Sequence, residues 1–126
     1  MREFDHVGLT STVKREDEMW VESTRVWVTD PATEMREYLR YEPDSPVEAW
    51  FRERPHLAFR TDNLQREIEG QQVVLGPIEV TKNLTVAFVE KDGALWEFME
   101  SKVGKDWFTD WRNSSQPIKE DAREKG

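Results

Sequence analysis

Apolar and polar positions alternate with period two along most of this chain, in short runs broken by charged stretches and turn residues, which predicts a strand-rich fold. Residues 3–10, around FDHVGL, read as a strand, whereas 11–25 is polar and charged without a helical stripe. Residues 25–30 (RVWVTD) are β-branched and aromatic and close on the turn pair Asp30-Pro31. Over 34–42 the alternation is clear, with Met35, Glu37, Leu39 and Tyr41 on one face and Arg36, Tyr38, Arg40 and Glu42 on the other.

A change of period follows. Ser45 suits an N-cap, Pro46 the first helical position and Glu48 the third place of a capping box, predicting a helix that ends near Arg54-Pro55. After a strand over 55–60, Asp62 and Gln65 form a second capping pattern, Leu64 and Ile68 supply an apolar stripe, and Gly70 stops the helix. Strands follow over 72–81, 84–90 and 94–100, the last two joined by the Lys91-Asp92-Gly93 turn. Beyond Ser101 the chain is polar apart from Trp107, Phe108 and Trp111. That patch is either a clasp folded back on the body or a subunit contact, the clasp being favoured because exposed aromatic clusters are uncommon on monomers. The last ten or so residues read as frayed.

Composition narrows the classes. The chain has 126 residues and no cysteine, which suits one domain and excludes a disulfide scaffold or a cysteine zinc module. Its apolar runs are only a few residues, and its N-terminus lacks a signal-peptide core, so a cytoplasmic location without a membrane partner is expected. The formal net charge of -8 argues against nucleic acid as a partner. Six tryptophans point to a real core or a contact surface. Only two histidines are present, His6 and His56, and they are the informative residues.

The second half reads strand, helix, then three strands, and the first half follows the same order with a gap. FDHVGL opens one half where RPHLAF opens the other: each histidine is followed by a bulky apolar residue, a small one (Gly8, Ala58) and another bulky one. Each half ends on a strand that carries a carboxylate on its apolar face, Glu37 with Met35, Leu39 and Tyr41, and Glu97 with Leu95 and Met99. His6 and Glu37 stand 31 residues apart, His56 and Glu97 41, so the first half lacks about a helix, and 11–25 is where it is missing. Taken singly, a strand histidine is more often a packed or surface residue, and a lone glutamate can snorkel at a sheet edge or pair with Arg36 or Arg60. Two carboxylates on apolar faces are costly to bury unless they are paired or hold a cation. Together with the two histidines at equivalent places of a repeat, they would form an N₂O₂ set suited to an octahedral divalent metal with open positions.

Paired βαβββ modules with a histidine on the first strand and a glutamate on the last resemble the vicinal oxygen chelate superfamily, which includes glyoxalase I, methylmalonyl-CoA epimerase, fosfomycin-resistance proteins, extradiol dioxygenases and bleomycin-binding proteins. HLAFRTDNLQREIEG with KDGALWEFME is similar to the family's second module, and EYLRYEPDSPVEAWFRERPHLAF resembles the inter-module stretch of its epimerase-like members. The likeness covers about residues 3–100. It implies an α+β, glyoxalase-like fold of two fused βαβββ modules, the first shortened and lacking its helix. Module one would occupy 3–43, a linker helix 44–54 and module two 55–100, within a single domain over 1–105, with 106–126 as a C-terminal tail.

Carried over by position, the family pattern implies metal ligands at His6, Glu37, His56 and Glu97, with Glu97 or Glu37 moving a proton as general base. The cofactor would be a divalent ion among Mn, Co, Ni, Fe and Zn. The expected activity is that of a metal-dependent isomerase, epimerase or lyase acting on a small oxo or carboxylate substrate that chelates through neighbouring oxygens. Extradiol dioxygenases fit less well, being longer chains. The competing expectation is a non-catalytic, bleomycin-resistance-like protein that sequesters aromatic cations in a dimer groove, which the acidic charge and the tryptophans suit. A third is a degenerate relative with a structural or regulatory role. Relatives build their cups within one chain or across a homodimer, and no residue set specific for glutathione, coenzyme A or fosfomycin is present.

Overall fold

The computed structural model describes residues 2–114. Alternation dictates the architecture: eight strands form one nearly closed mixed sheet with few helices, an α+β arrangement. The strands are β1 (Arg2–Thr10), β2 (Met19–Val21), β3 (Val26–Val28), β4 (Arg36–Tyr41), β5 (His56–Thr61), β6 (Gln72–Thr81), β7 (Leu84–Lys91) and β8 (Ala94–Ser101). Their spatial order is β2-β3-β4-β1-β5-β8-β7-β6. The two inner strands β1 and β5 pair antiparallel, and each has the last strand of its own half as a parallel neighbour, β4 beside β1 and β8 beside β5.

The order reads the same from either end, so the sheet has a local two-fold at its centre. Val7 lies opposite Leu57, with His6 opposite Ala58 on one side and Gly8 opposite His56 on the other. The repeat seen in the sequence is thus a repeat in register. Gly8, two residues after His6, stands beside Glu37, and Ala58, two after His56, stands beside Glu97.

Helices are few and short. α1 (Ala49–Arg52) joins the halves and buries Phe51 edge-on against Phe88. It is shorter than its capping box predicts. Glu48 stands at the N-cap without a capping side-chain bond, and its carboxylate accepts from the Trp50 indole; the Ser45 hydroxyl accepts from the Val47 N–H and donates to the Thr24 carbonyl at 2.5 Å, tying the linker to the first half. α2 (Leu64–Ile68) is capped by Asn63, whose side chain accepts from the Arg66 N–H, and not by Asp62, which pairs with Arg66. Leu64 and Ile68 pack with Ala87, Val89 and Phe98 on the outer face of the second half.

The first half has no helix at that place. Its segment between β1 and β2 covers the outer face with charge and aromatic contacts. The Arg15 guanidinium lies 3.9 Å from the Tyr38 ring centroid, and buried Glu18 holds Arg40 through two bonds of 2.6 and 2.9 Å. The stretch 11–25, read as polar and charged without a helical stripe, also holds β2, a three-residue edge strand. Met35 departs from the predicted alternation. It sits at φ 57° in the turn before β4 and is exposed, so the inner face of β4 starts at Glu37. At the other end, a short 3₁₀ turn leads into α3 (Trp107–Ser114), whose Trp107, Phe108 and Trp111 are buried in the main core with Val26, Leu39, Val86 and Met99. The aromatic patch is therefore folded back onto the sheet. The segment read as frayed lies outside the described residues.

Candidate metal centre

Each of the four singled-out side chains is placed by strand geometry. Alternation along β1 and β5 turns His6 and His56 to the concave face, and the parallel neighbours β4 and β8 bring Glu37 and Glu97 to the same face. All four are buried, and one potential ligand atom from each lies within 4.8 Å of the others. His6 Nε2 is 3.4 Å from Glu37 Oε1 and 3.6 Å from Glu97 Oε1, while His56 Nε2 lies 3.8 and 3.1 Å from the same two oxygens. An octahedral ion with bonds of about 2.1 Å spaces adjacent ligand atoms by about 3.0 Å and opposite ones by about 4.2 Å. The observed spacings fall close to that range.

The donors are also unsatisfied. His6 Nε2, His56 Nε2 and Glu97 Oε1 are buried side-chain atoms without a hydrogen-bond partner. Such atoms are costly to leave unpaired, and three of them facing one point fit a bound cation. The small residues of the repeat make room for the rings. A Cβ at Gly8 would fall closer than 3.0 Å to three atoms of the His56 imidazole.

Behind His6 stands a residue that the sequence reading did not single out. A bulge between Phe4 and His6 breaks the alternation of β1, so that Asp5 and His6 both turn toward buried surroundings. His6 Nδ1 donates to Asp5 Oδ2 at 2.6 Å, because a carboxylate can only accept, and this directs Nε2 into the site. Asp5 is held in turn by Arg60 Nε at 2.8 Å and by the Trp107 indole N–H, 3.1 Å from both its oxygens. Its carboxyl stays below its ordinary pKa: burial works against ionisation, but the His6 bond and charge, Trp107 and Arg60 outweigh it. For His6, burial opposes protonation, yet the Glu37 charge, the Asp5 bond and the Glu97 charge prevail and raise its pKa from 6.5 to about 10. The place equivalent to Asp5 in the second half is Pro55, so the two histidines differ in their support. The adjacent pair Asp5-His6 was the one signal for this carboxylate in the sequence.

Above Glu37 and Glu97 lies an apolar cavity of about 70 Å³, with Tyr41, Val86, Trp107 and Trp111 among its walls. Burial and the two glutamates push the Tyr41 hydroxyl above its ordinary pKa, so it stays a neutral hydrogen-bonding group.

The comparisons with known proteins agree at the level of fold. The structure is similar to a hypothetical protein from Bacillus halodurans C-125, with a TM-score of 0.58 and 21% identity over 80% of this chain and 95% of that one. It is also similar to methylmalonyl-CoA epimerase from Mycobacterium tuberculosis, with a TM-score of 0.54 and 17% identity over 79% of this chain and 87% of that one. No protein-family model matches the sequence, and no curated protein matches it. The fold is thus of the glyoxalase-like kind, and it holds a buried His/Glu group able to bind a metal ion. No helix among the described residues is long and apolar enough to cross a membrane.

Proposed function

We propose that this chain is a glyoxalase-like metalloprotein, built as two βαβββ modules of which the first is shortened, that acts as a divalent-metal isomerase, epimerase or lyase. The observation that carries this reading is the buried N₂O₂ group of His6, Glu37, His56 and Glu97, three of whose donor atoms have no partner in the protein. A divalent ion held there (Mn, Co, Ni, Fe or Zn) supplies Lewis-acid stabilisation of charge developing on the oxygens of a small oxo or carboxylate substrate. The chain's own residues do the rest. Asp5 fixes the His6 ring, the apolar wall excludes water, and Glu97 or Glu37 moves the proton as general base. The fold likeness to an epimerase supports the reaction class through fold alone.

Metal analysis of protein purified without chelator, repeated on His6→Ala and His56→Ala, tests the proposal. One equivalent of metal in the native protein and loss in both variants is expected. Full occupancy that survives both substitutions would sink it. The alternative is a binding protein that sequesters a small molecule, which the Trp107 and Trp111 walls of the cavity favour. A thermal-shift screen separates the two: stabilisation by Mn²⁺, Co²⁺, Ni²⁺ or Zn²⁺ belongs to the metalloprotein, and stabilisation by aromatic cations alone to the binder.

A further inference from the structure

The cavity over the two glutamates is only the inner of two spaces that meet where the two edges of the sheet approach each other. β2 and β6, the terminal strands of the order, flank a second, outer groove of about 400 Å³ lined by Trp20, Glu22, Ser23 and Glu79. Four side chains line both spaces and so separate them: Val21 from β2, Ile78 and Val80 from β6, and Trp111 from α3. The largest of the four is Trp111, which is buried and packs edge-on against Phe108.

The lining of this route has a definite chemistry. Neither space has a lysine or arginine among its lining residues. The carboxyl groups on the route are Glu22 and Glu79 in the outer groove and Glu37 and Glu97 at the inner end. A phosphate or a second carboxylate on a ligand would have to shed its hydration against a wall of valine, leucine and isoleucine that carries no cation of its own, and the cation at the rim, Arg25, is already held by Asp44 at 2.7 Å and Glu22 at 3.6 Å. An aliphatic group meets no such cost and gains with each methylene it buries against that wall. The inner space of about 70 Å³ has room for roughly two to five water-sized groups, which bounds what can sit over the glutamates.

We infer that the seam between β2 and β6 is the ligand's way in, that the ligand carries a short uncharged apolar tail on its metal-facing oxygens, and that Trp111 sets the length and width of that tail. This rests on the proposed metal reading for the oxygen end only. The tail preference follows from the lining itself. It also separates this site from one built for an acyl group on a phosphate-bearing carrier, whose charged end requires cations in the lining of the groove.

The test uses the full chain loaded with Co²⁺, with visible absorbance and tryptophan fluorescence as readouts. The probes are two hydroxamic acids of equal length, butanohydroxamic acid and the monohydroxamic acid of succinic acid, which differ in a terminal carboxylate. The neutral-tailed probe is expected to bind at least tenfold more tightly. Trp111→Leu is expected to leave the cobalt stoichiometry unchanged and to raise the affinity for the wider benzohydroxamic acid at least tenfold. Trp111→Phe serves the same purpose with a smaller change should the leucine variant not fold. Equal or tighter binding of the carboxylate-tailed probe, or no gain for the wider probe in either variant, overturns the inference. Failure of Co²⁺ to bind overturns the metal reading instead. The tail preference is then read by thermal shift of the metal-free protein with the same first pair, and no preference for the neutral tail there overturns the inference as well.

Discussion

At the scale of single residues, the site depends on a division of labour that residue size enforces. His56 lies across the strand pair from Gly8, while His6 lies across from Ala58, so each imidazole occupies space left by a small partner. The spaces are not equal, since a methyl group at Gly8 would land on the His56 ring. Gly8→Ala is therefore expected to displace His56 and to lower metal affinity at least tenfold, while circular dichroism shows the sheet intact; a variant with native metal affinity would refute the packing argument. Asp5 offers the second residue-scale prediction. Asp5→Asn keeps the size but removes the charge that orients His6 and accepts from Trp107 and Arg60. Outer partners of this kind are worth about 10–100-fold in metal affinity, and a loss in that range, read by competition with a chromogenic chelator, is the expected result.

At the scale of elements, strand alternation explains both what the sequence disclosed and what it hid. His6, Glu37, His56 and Glu97 were legible because a period of two fixes which face a side chain takes, and because both parallel pairs have the same register. Asp5 was not legible, because the bulge that turns it inward breaks the alternation from which faces are read. β2 escaped for a different reason: three residues at a sheet edge, set among charged neighbours, are too few to show a period. The cap residues misled because the Ser45 oxygen closes a local turn onto the Val47 N–H while its hydroxyl donates to the Thr24 carbonyl, a partner brought near only by the tertiary fold. The absent helix of the first half shows how polar chain can serve where an apolar helix serves in the second. Glu18, 5% exposed, holds Arg40 by two bonds, and Arg40 lies over the Trp27 ring. Glu18→Gln removes the two-bond partner of that guanidinium, which keeps Glu42 at 3.9 Å, and is expected to cost about 2 kcal/mol in urea denaturation, with metal stoichiometry unchanged. A cost within about 0.5 kcal/mol would mean that the segment covers the sheet without supporting it.

At the scale of the whole molecule, the chain must reconcile two buried carboxylates with a net charge that is already -8. Glu37 and Glu97 converge in a space with little water, and a cation has to stand near them: either a proton on His6 or a metal ion. Without metal, the proton is the counter-charge, and the sign of its linkage is fixed. The folded-state pKa of His6, about 10, exceeds its unfolded value of 6.5, so the folded protein binds the proton more tightly. That stabilisation is complete below pH 6.5 and is lost progressively as pH rises toward about 10. The groups facing the imidazole are Glu37, Glu97, Asp5 and the His56 ring, whose centroid lies 5.6 Å away, with Arg60 behind Asp5. An ion held by His6, Glu37, His56 and Glu97 would remove the dependence, because it would take the place of the proton and supply the counter-charge itself. Chelator-treated protein is therefore expected to lose urea stability steadily from pH 6.5 to 10, whereas the metal-loaded protein holds a nearly level profile over the same range. Binding at pH 7 is expected to release on the order of one proton, read as a dependence of the calorimetric heat on the ionisation enthalpy of the buffer. A level profile for the chelated protein, together with no proton release, would show that the two carboxylates are balanced by something other than His6, and the exchange of proton for metal would fall with it.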